Sequence, residues 1–439
     1  MTVREAAINI IRRLHEAGHE SYLVGGCVRD ELRGVAPKDY DISTSARPGE
    51  VEELFSKTKD VGKSKSFGVM LVVEGGKSFE VATFRTESGY ADGRHPNKVE
   101  FSDAQTDASR RDFTINGLFL DPVTNKIHDW VGGEADLKTR TLRTIGKPAE
   151  RFGEDHLRLL RAVRFAAQLD FQIDPTTFKA VKAYAEKVSG VSAERIRDEL
   201  LQLFRPPHAA RGLDLLRASG LLEHVLPELL PMINCEQSPD YHPEGTVYDH
   251  VRLMLEKMPL DAPMELPWTI LLHDIAKPAT VSAGEDGRIH FYGHEKIGAN
   301  MSETILERLR FSREEIDTIV STVRYHMQFK DAPQMRKVTL RRMLLRPNFE
   351  LELEQHRIDC LGSHGKLDIY DFIRTEQASM AEQPALFEPL ITGRDLIALG
   401  MVPGPALGKM LNEIRNRQLA EEFDTRENAL AWAKEKAAL

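Results

Sequence analysis

The sequence predicts an α+β fold: a small mixed-sheet head followed by an extended, all-helical remainder. Two observations carry this reading. Up to about residue 146, short apolar runs alternate with glycine turns, as strands do; beyond it, apolar residues recur at helical spacing among charged ones. A third observation divides the helical part, because prolines and histidines gather from about Pro231 onward. The expected divisions are a head at 1–146, a helical neck at 147–230, a histidine-bearing helical domain at 231–375 and a helical tail at 376–439. A chain of 439 residues is too long for one ordinary core, and 41% hydrophobic against 29% charged residues describes a soluble globular protein.

Taken in order, Val3, Ala6, Ile10 and Leu14 space one apolar face along an opening helix. Charges are mixed through that helix, so it has no signal-peptide core, and no apolar run approaches membrane-spanning length. Tyr22 to Val24 reads as a short buried strand. Gly25 and Gly26 then open a turn that lets backbone approach a ligand closely. Arg29 stands just beyond, where a guanidinium can fork onto phosphate oxygens. Asp39 and Asp41 sit two apart in an expected second strand, and a period of two puts both carboxylates on one face. Such a pair beside a glycine turn and an arginine suits Mg²⁺ held against a nucleoside triphosphate.

Glu50 to Phe55 has a helical pattern. Phe67 to Val73 and Phe79 to Phe84 read as two strands joined by the turn Glu74-Gly75-Gly76-Lys77. Glu80 could be a third acidic group on the sheet, but we read it as a solvent-facing strand residue. Gly89 to Pro96 is polar, glycine-punctuated and without apolar period, which predicts a mobile loop. Arg110, Arg111 and Asp112 open an apolar segment, and Gly132-Gly133 supports a bend.

In the neck, Arg151 to Phe165 predicts one strong helix, with Leu157, Leu160 and Val163 packing and Asp155, Arg158, Arg161 and Arg164 on a polar face. Ser192 is an expected N-cap for the next helix. The net charge of −9 argues mildly against a polyanion partner. From Lys138 to Arg217, however, sixteen Lys/Arg stand against ten Asp/Glu, a local excess of +6 that fits a chain gripping nucleic acid locally. The same count also fits a solvated helical surface.

Further on, His250 falls on an apparent helix, His273-Asp274 follows the apolar Ile270-Leu271-Leu272, and His294, His326 and Asp359 complete a candidate metal set. In the tail, glycines at the ends of short helices around Thr392–Leu396 and Leu399–Lys409 suit either a phosphate contact or a helix-turn-helix packing element. Cys27, Cys235 and Cys360 are few, far apart and unmatched to any metal spacing, which suggests a reducing cytoplasm.

These motifs together closely resemble the class II tRNA nucleotidyltransferase and poly(A) polymerase family. Gly25-Gly26-x-x-Arg29-Asp30 with Asp39-x-Asp41 resembles its first motif, Arg110-Arg111-Asp112 its second and Asp129 to Leu137 its third. Glu154-Asp155-x-x-Arg158 resembles its fourth, and Ser192 to Leu200 its fifth. The resemblance implies a nucleotidyltransferase head that adds C and A from CTP and ATP to the 3′ end of tRNA. It implies Asp39 and Asp41 as ligands of Mg²⁺ in a two-metal transfer that releases pyrophosphate.

By the same resemblance Arg111 contacts the triphosphate and Asp112 the ribose 2′-hydroxyl; a buried Arg–Asp pair is the alternative. Asp155 and Arg158 would read the base edge, Arg161 and Arg164 would lie toward the phosphates, and Glu194 and Arg195 would buttress the template helix. The implied partners are tRNA, ATP and CTP, with neither DNA nor a membrane. The loop at Gly89 resembles the family's flexible loop, which favours an enzyme able to add A. The histidine set resembles an HD phosphohydrolase domain, which implies a second divalent metal. The rival readings are a poly(A) polymerase or A-only enzyme on the same scaffold, a phosphohydrolase with a merely binding head, and a non-catalytic RNA-binding protein. Val61 to Gly68 departs from the Arg-Arg-Phe-Arg stretch usual in bacterial poly(A) polymerases, which favours tRNA end synthesis.

Overall fold

The structure is a computed structural model that describes residues 1–59, 68–90, 96–284, 289–383, 386 and 388–437. The chain forms two compact units, Met1–Pro227 and Glu228–Leu439, each described here by itself.

In the first unit, α1 (Val3–Glu16) opens on a capping box between Thr2 and Glu5. It lays Ala6, Ala7, Ile10, Ile11 and Leu14 against a mixed sheet. The strands in chain order are β1 (Ser21–Val24), β2 (Asp41–Thr44), β3 (Thr58–Lys59), β4 (Val69–Glu74) and β5 (Lys77–Thr83), with a separate hairpin of β6 (Arg85–Tyr90) and β7 (Pro96–Phe101), then β8 (Phe119–Asp121) and β9 (Lys126–His128). Their spatial order is β3-β4-β5-β2-β1-β8-β9, antiparallel throughout except for the parallel β2–β5 pair. Ile42, Val72, Phe79 and Val81 face the α1 side and fill the core, so strand alternation turns Glu80 to the other face. The β4–β5 turn is Gly75-Gly76, both at positive φ (58° and 77°), as a two-residue hairpin requires.

Three expectations shift here. The second strand begins at Asp41 and leaves Asp39 just ahead of it, because β1 ends at Val24, the ladder partner of Asp41, where the chain turns at Gly25. The expected helix over 151–165 is two helices, α6 (Pro148–Glu154) and α7 (Leu157–Leu169), which follow α2 (Gly26–Leu32), α3 (Pro48–Leu54), α4 (Ala104–Ser109) and α5 (Gly133–Lys138) in the chain. Asp155 breaks the run with extended backbone (φ −142°, ψ 107°), and its Oδ1 accepts the amide of Leu157 at 3.0 Å, starting a new helix as a cap does. Ser192 does occupy an N-cap, ahead of α9 (Ala193–Leu203), with α8 (Pro175–Tyr184) between, but its hydroxyl makes no cap hydrogen bond. The expected loop at 89–96 lies partly in β6 and β7, and its residues 91–95 fall outside the described residues, as do 61–67 of the stretch that departs from the poly(A) polymerase pattern.

The second unit is helical. Helices Val247–Glu256, Leu266–Leu272, His294–Arg308, Arg313–Tyr325 and Phe349–Gly362 surround the histidine set, and every residue of Leu266–Leu272 is buried. A separate small core of Ile391, Leu396, Ile414 and Phe423 gathers the tail helices Gly393–Ala398, Pro405–Leu419 and Arg426–Ala437. Among the described residues no helix is long and apolar enough to cross a membrane.

Candidate active site

Gly25 sets the geometry of the head site. Its φ of +75° is one that side chains rarely adopt, and a Cβ there would stand 3.1 Å from Nη1 of Arg111. The turn is therefore a backbone cradle closed on one side by a guanidinium. Arg111 is steered into it by Ser43, whose Oγ accepts from Nη2 at 3.2 Å, and by the buried Asp107, whose Oδ2 accepts at 3.1 Å. Its Nε is buried and finds no hydrogen-bond partner among the described residues, while Nη1 is the atom that faces the Gly25 turn. Arg29 is committed differently: it forks onto Asp30 at 2.9 Å and donates to Asn116 Oδ1 at 2.8 Å.

On the sheet face opposite the core, Asp41 adjoins Glu80 across the β2–β5 ladder, and Asp39 precedes it. Desolvation, then the charges of Asp39 and Glu80, lift the Asp41 carboxyl to about 6 against the pull of Arg111. Asp41 still exposes surface to solvent, so it sits in an open recess rather than a sealed core. Glu80 is solvent-exposed, as expected, and also the third acidic group of this recess. Asp41, its carboxyl raised by the charges of Asp39 and Glu80, offers oxygen donors of the kind a hard divalent cation takes, but the three carboxylates do not form one of the close ligand groups found among the described residues.

Asp112 is only 8% exposed. Its Oδ2 accepts from Nε and Nη2 of Arg161 at 2.9 and 2.6 Å, and its Oδ1 from Asn116 Nδ2 at 3.1 Å. Burial opposes its ionisation, yet Arg161 and these hydrogen bonds carry it down to about 2. Arg161 thus lies on Asp112, and Arg164 turns to Glu199 and Gln168. At the α6–α7 break, Asp155 Oδ2 accepts from Arg195 Nη2 at 2.8 Å. Arg158 pairs with Glu154 and donates to the carbonyl of Arg110 at 3.2 Å. That carbonyl also receives Arg151 Nη1 at 3.2 Å. Ser43 thus ties the strand that carries Asp41 to the Arg111 cradle, and the carbonyl of the neighbouring Arg110 receives Arg158, while Asp155 is held by Leu157 and Arg195. Sequence reasoning missed Asp107 and Asn116. Asp107 was in principle readable, being three and four residues before the two arginines on a helix.

In the second unit the six predicted residues converge. Each of three rings directs Nδ1 to a carbonyl: His273 to Ile270 at 2.9 Å, His294 to Phe291 at 2.6 Å and His326 to Val323 at 2.6 Å. A carbonyl only accepts, so Nδ1 carries the proton and Nε2 is left to bind. His294 Nε2 and His326 Nε2 are 3.2 Å apart, close enough to share a proton or to ligate one ion together. Asp274 reaches His273 Nε2 at 3.1 Å and His294 Nε2 at 3.3 Å, while Asp359 reaches His250 Nε2 at 3.1 Å. Although burial opposes it, His273 and the Lys277 ammonium beside it hold Asp274 well below the usual carboxylate range. Candidate metal-holding groups form around these atoms and include two residues the sequence reading missed, His242 and Glu244. The cluster opens on a cavity of about 660 Å³ whose wall includes His242, Tyr292, Lys330 and Lys366.

Residues 21–143 match the family described as the poly A polymerase head domain, 170–233 the probable RNA and SrmB-binding site of polymerase A, and 241–356 the HD domain. A CCA-adding enzyme of Lactobacillus johnsonii is 43% identical over 221 residues, which is 50% of this chain and 55% of that protein. The chain thus spans about half the length of the first curated relatives it matches. An A-adding tRNA nucleotidyltransferase of Deinococcus radiodurans is 32% identical over 438 residues, 94% of this chain and 95% of that one. Among solved structures, the CCA-adding enzyme of Bacillus stearothermophilus in complex with CTP superposes with a TM-score of 0.74 at 27% identity, over 100% of this chain and 98% of that one.

Proposed function

The chain belongs to the tRNA nucleotidyltransferase and poly(A) polymerase family, and we propose that it adds C, C and A in order to the 3′ end of tRNA from CTP and ATP, releasing pyrophosphate. The observation that carries this is the run of contacts from the acidic recess through the Arg111 cradle to Arg158, beside which Arg195 anchors Asp155. Asp39, Asp41 and Glu80 are the residues that would hold Mg²⁺, which when bound supplies positive charge to the attacking and leaving oxygens. Gly25 leaves room for the triphosphate, and Arg111 donates to it. Asp155 accepts from the exocyclic amino group of cytosine or adenine while Arg158 donates to a ring acceptor, a pairing that G and U do not match. Asp41→Asn is expected to reduce nucleotide transfer by at least a thousandfold with an unchanged circular dichroism spectrum; full activity in that variant overturns the assignment.

A second reading, addition of A alone, is favoured by one observation: the relative matched over nearly the whole chain is named as A-adding. In the second unit we assign His250, His273, Asp274, His294, His326 and Asp359 to a divalent-metal site of a phosphohydrolase. Metal-dependent release of phosphate from a phosphomonoester or cyclic phosphodiester, lost in His273→Ala, tests it. We also assign transfer to residues 1–146, base selection and RNA binding to 147–230, hydrolysis to 231–375 and support to 376–439, in a cytoplasm that keeps three buried thiols reduced.

A further inference from the structure

Glu244 belongs to none of the motifs above. It lies in the turn ahead of helix Val247–Glu256, and its side chain is 9% exposed. Its Oε1 accepts from two imidazoles at once, Nδ1 of His242 at 2.9 Å and Nδ1 of His250 at 2.6 Å. Its Oε2 is buried and finds no hydrogen-bond partner among the described residues. An ionised carboxylate cannot donate, so both rings present Nδ1–H to it and keep Nε2 for another task. For His250 that task lies in the cluster, 3.1 Å from Asp359 Oδ1. His242 stands nearly perpendicular to His250, ring centroids 4.8 Å apart, on the wall of the cavity.

A purely structural role for Glu244 has little left to explain. The helix start is already closed by the capping box between Thr246 and Asp249, and a turn clamp needs no second imidazole.

We propose that Glu244 is a positioning residue of this cluster, fixing His250 as a nitrogen ligand and holding His242 at the cavity wall toward whatever the bound ion acts upon. The proposal rests on the metal reading of the second unit. A carboxylate behind a ligating imidazole fixes its orientation and raises its basicity, and losing one typically weakens metal affinity about 10–100-fold.

The test titrates full-length protein carrying Asp41→Asn, so that the acidic head does not compete, with Co²⁺. The visible absorption of histidine-bound Co²⁺ gives the affinity, and melting of the metal-free protein reports the fold. Glu244→Gln is predicted to weaken Co²⁺ binding about tenfold or more and to shift the absorption band, with metal-free melting unchanged. His242→Asn is predicted to lose less affinity than Glu244→Gln, because His242 stands at the cavity wall. If Glu244→Gln fails to fold, Glu244→Asp keeps the charge but withdraws the oxygen, and a smaller loss in the same direction is expected. Wild-type affinity and spectrum in a folded Glu244 variant overturn the proposal. So does a loss in His242→Asn equal to that in Glu244→Gln, which would make His242 a ligand. A wild-type protein that shows no Co²⁺ band overturns the metal reading itself, and that outcome is separate from the other two.

Discussion

Asp41 and Asp112 are two aspartates of one head pushed in opposite directions, and the difference assigns their work. Asp41, lifted to about 6 from an ordinary 3.8, takes up a proton on folding that the unfolded chain has released. Its contribution to stability is therefore fully present below 3.8 and falls as pH rises toward about 6. Added Mg²⁺ is predicted to raise the melting temperature at pH 7.5 and to do so much less at pH 4.5; equal shifts at both would contradict a carboxylate-held cation. Asp112 runs the other way. Depressed to about 2, it contributes stability above 3.8 that is lost as pH falls through 2. Its partner Arg161 is one-third exposed at the side chain, so Arg161→Met is predicted to cost about 3 kcal/mol, toward the lower end for a broken buried pair. Denaturant unfolding checks this, and a loss below about 0.5 kcal/mol, typical of a surface pair, contradicts it.

At this scale Asp41 was legible as a strand-face carboxylate, but the two-residue period did not extend to Asp39, which stands ahead of the strand. The Asp112–Arg161 bond was not legible, because it joins residues 49 apart. The same holds for Arg29 and Asn116, which are 87 residues apart, so that the guanidinium read as free for phosphate is already forked.

Among the elements, the break between α6 and α7 is the most consequential. Arg151 to Phe165 has the composition of one continuous helix, and no proline or β-branched run interrupts it before Val163. The break depends on Asp155 capping Leu157 and being held by Arg195, a partner 40 residues away, so a local pattern could not announce it. It also leaves Asp155 outside both helices, with its carboxylate held between the Leu157 amide and Arg195. Arg195→Ala leaves that carboxylate without its anchor. Discrimination between CTP and UTP is predicted to fall by about 1–3 kcal/mol, roughly 5- to 150-fold, with little change in melting temperature. Single-turnover incorporation measures it, and unchanged discrimination would reduce Arg195 to packing. The strands of the head were more legible, because alternation at Phe79, Val81 and Val72 sorts core from solvent within a few residues.

For the whole molecule, two compact units each gather their own set of polar residues, carboxylates in one and imidazoles in the other. The histidine set was legible as a list of residues. Its closeness was not, since it draws on five helices and a turn spread from His242 to Asp359. The central claim, ordered synthesis of a tRNA end, is tested most directly by purified protein with Mg²⁺ and tRNA transcripts ending before CCA, after C or after CC. Each is given CTP, ATP or both, and products are resolved at single-nucleotide length. The account predicts stepwise C, C and A addition that stops at CCA on every transcript. A long adenosine tail, or A added only to the transcript ending in CC, would contradict it.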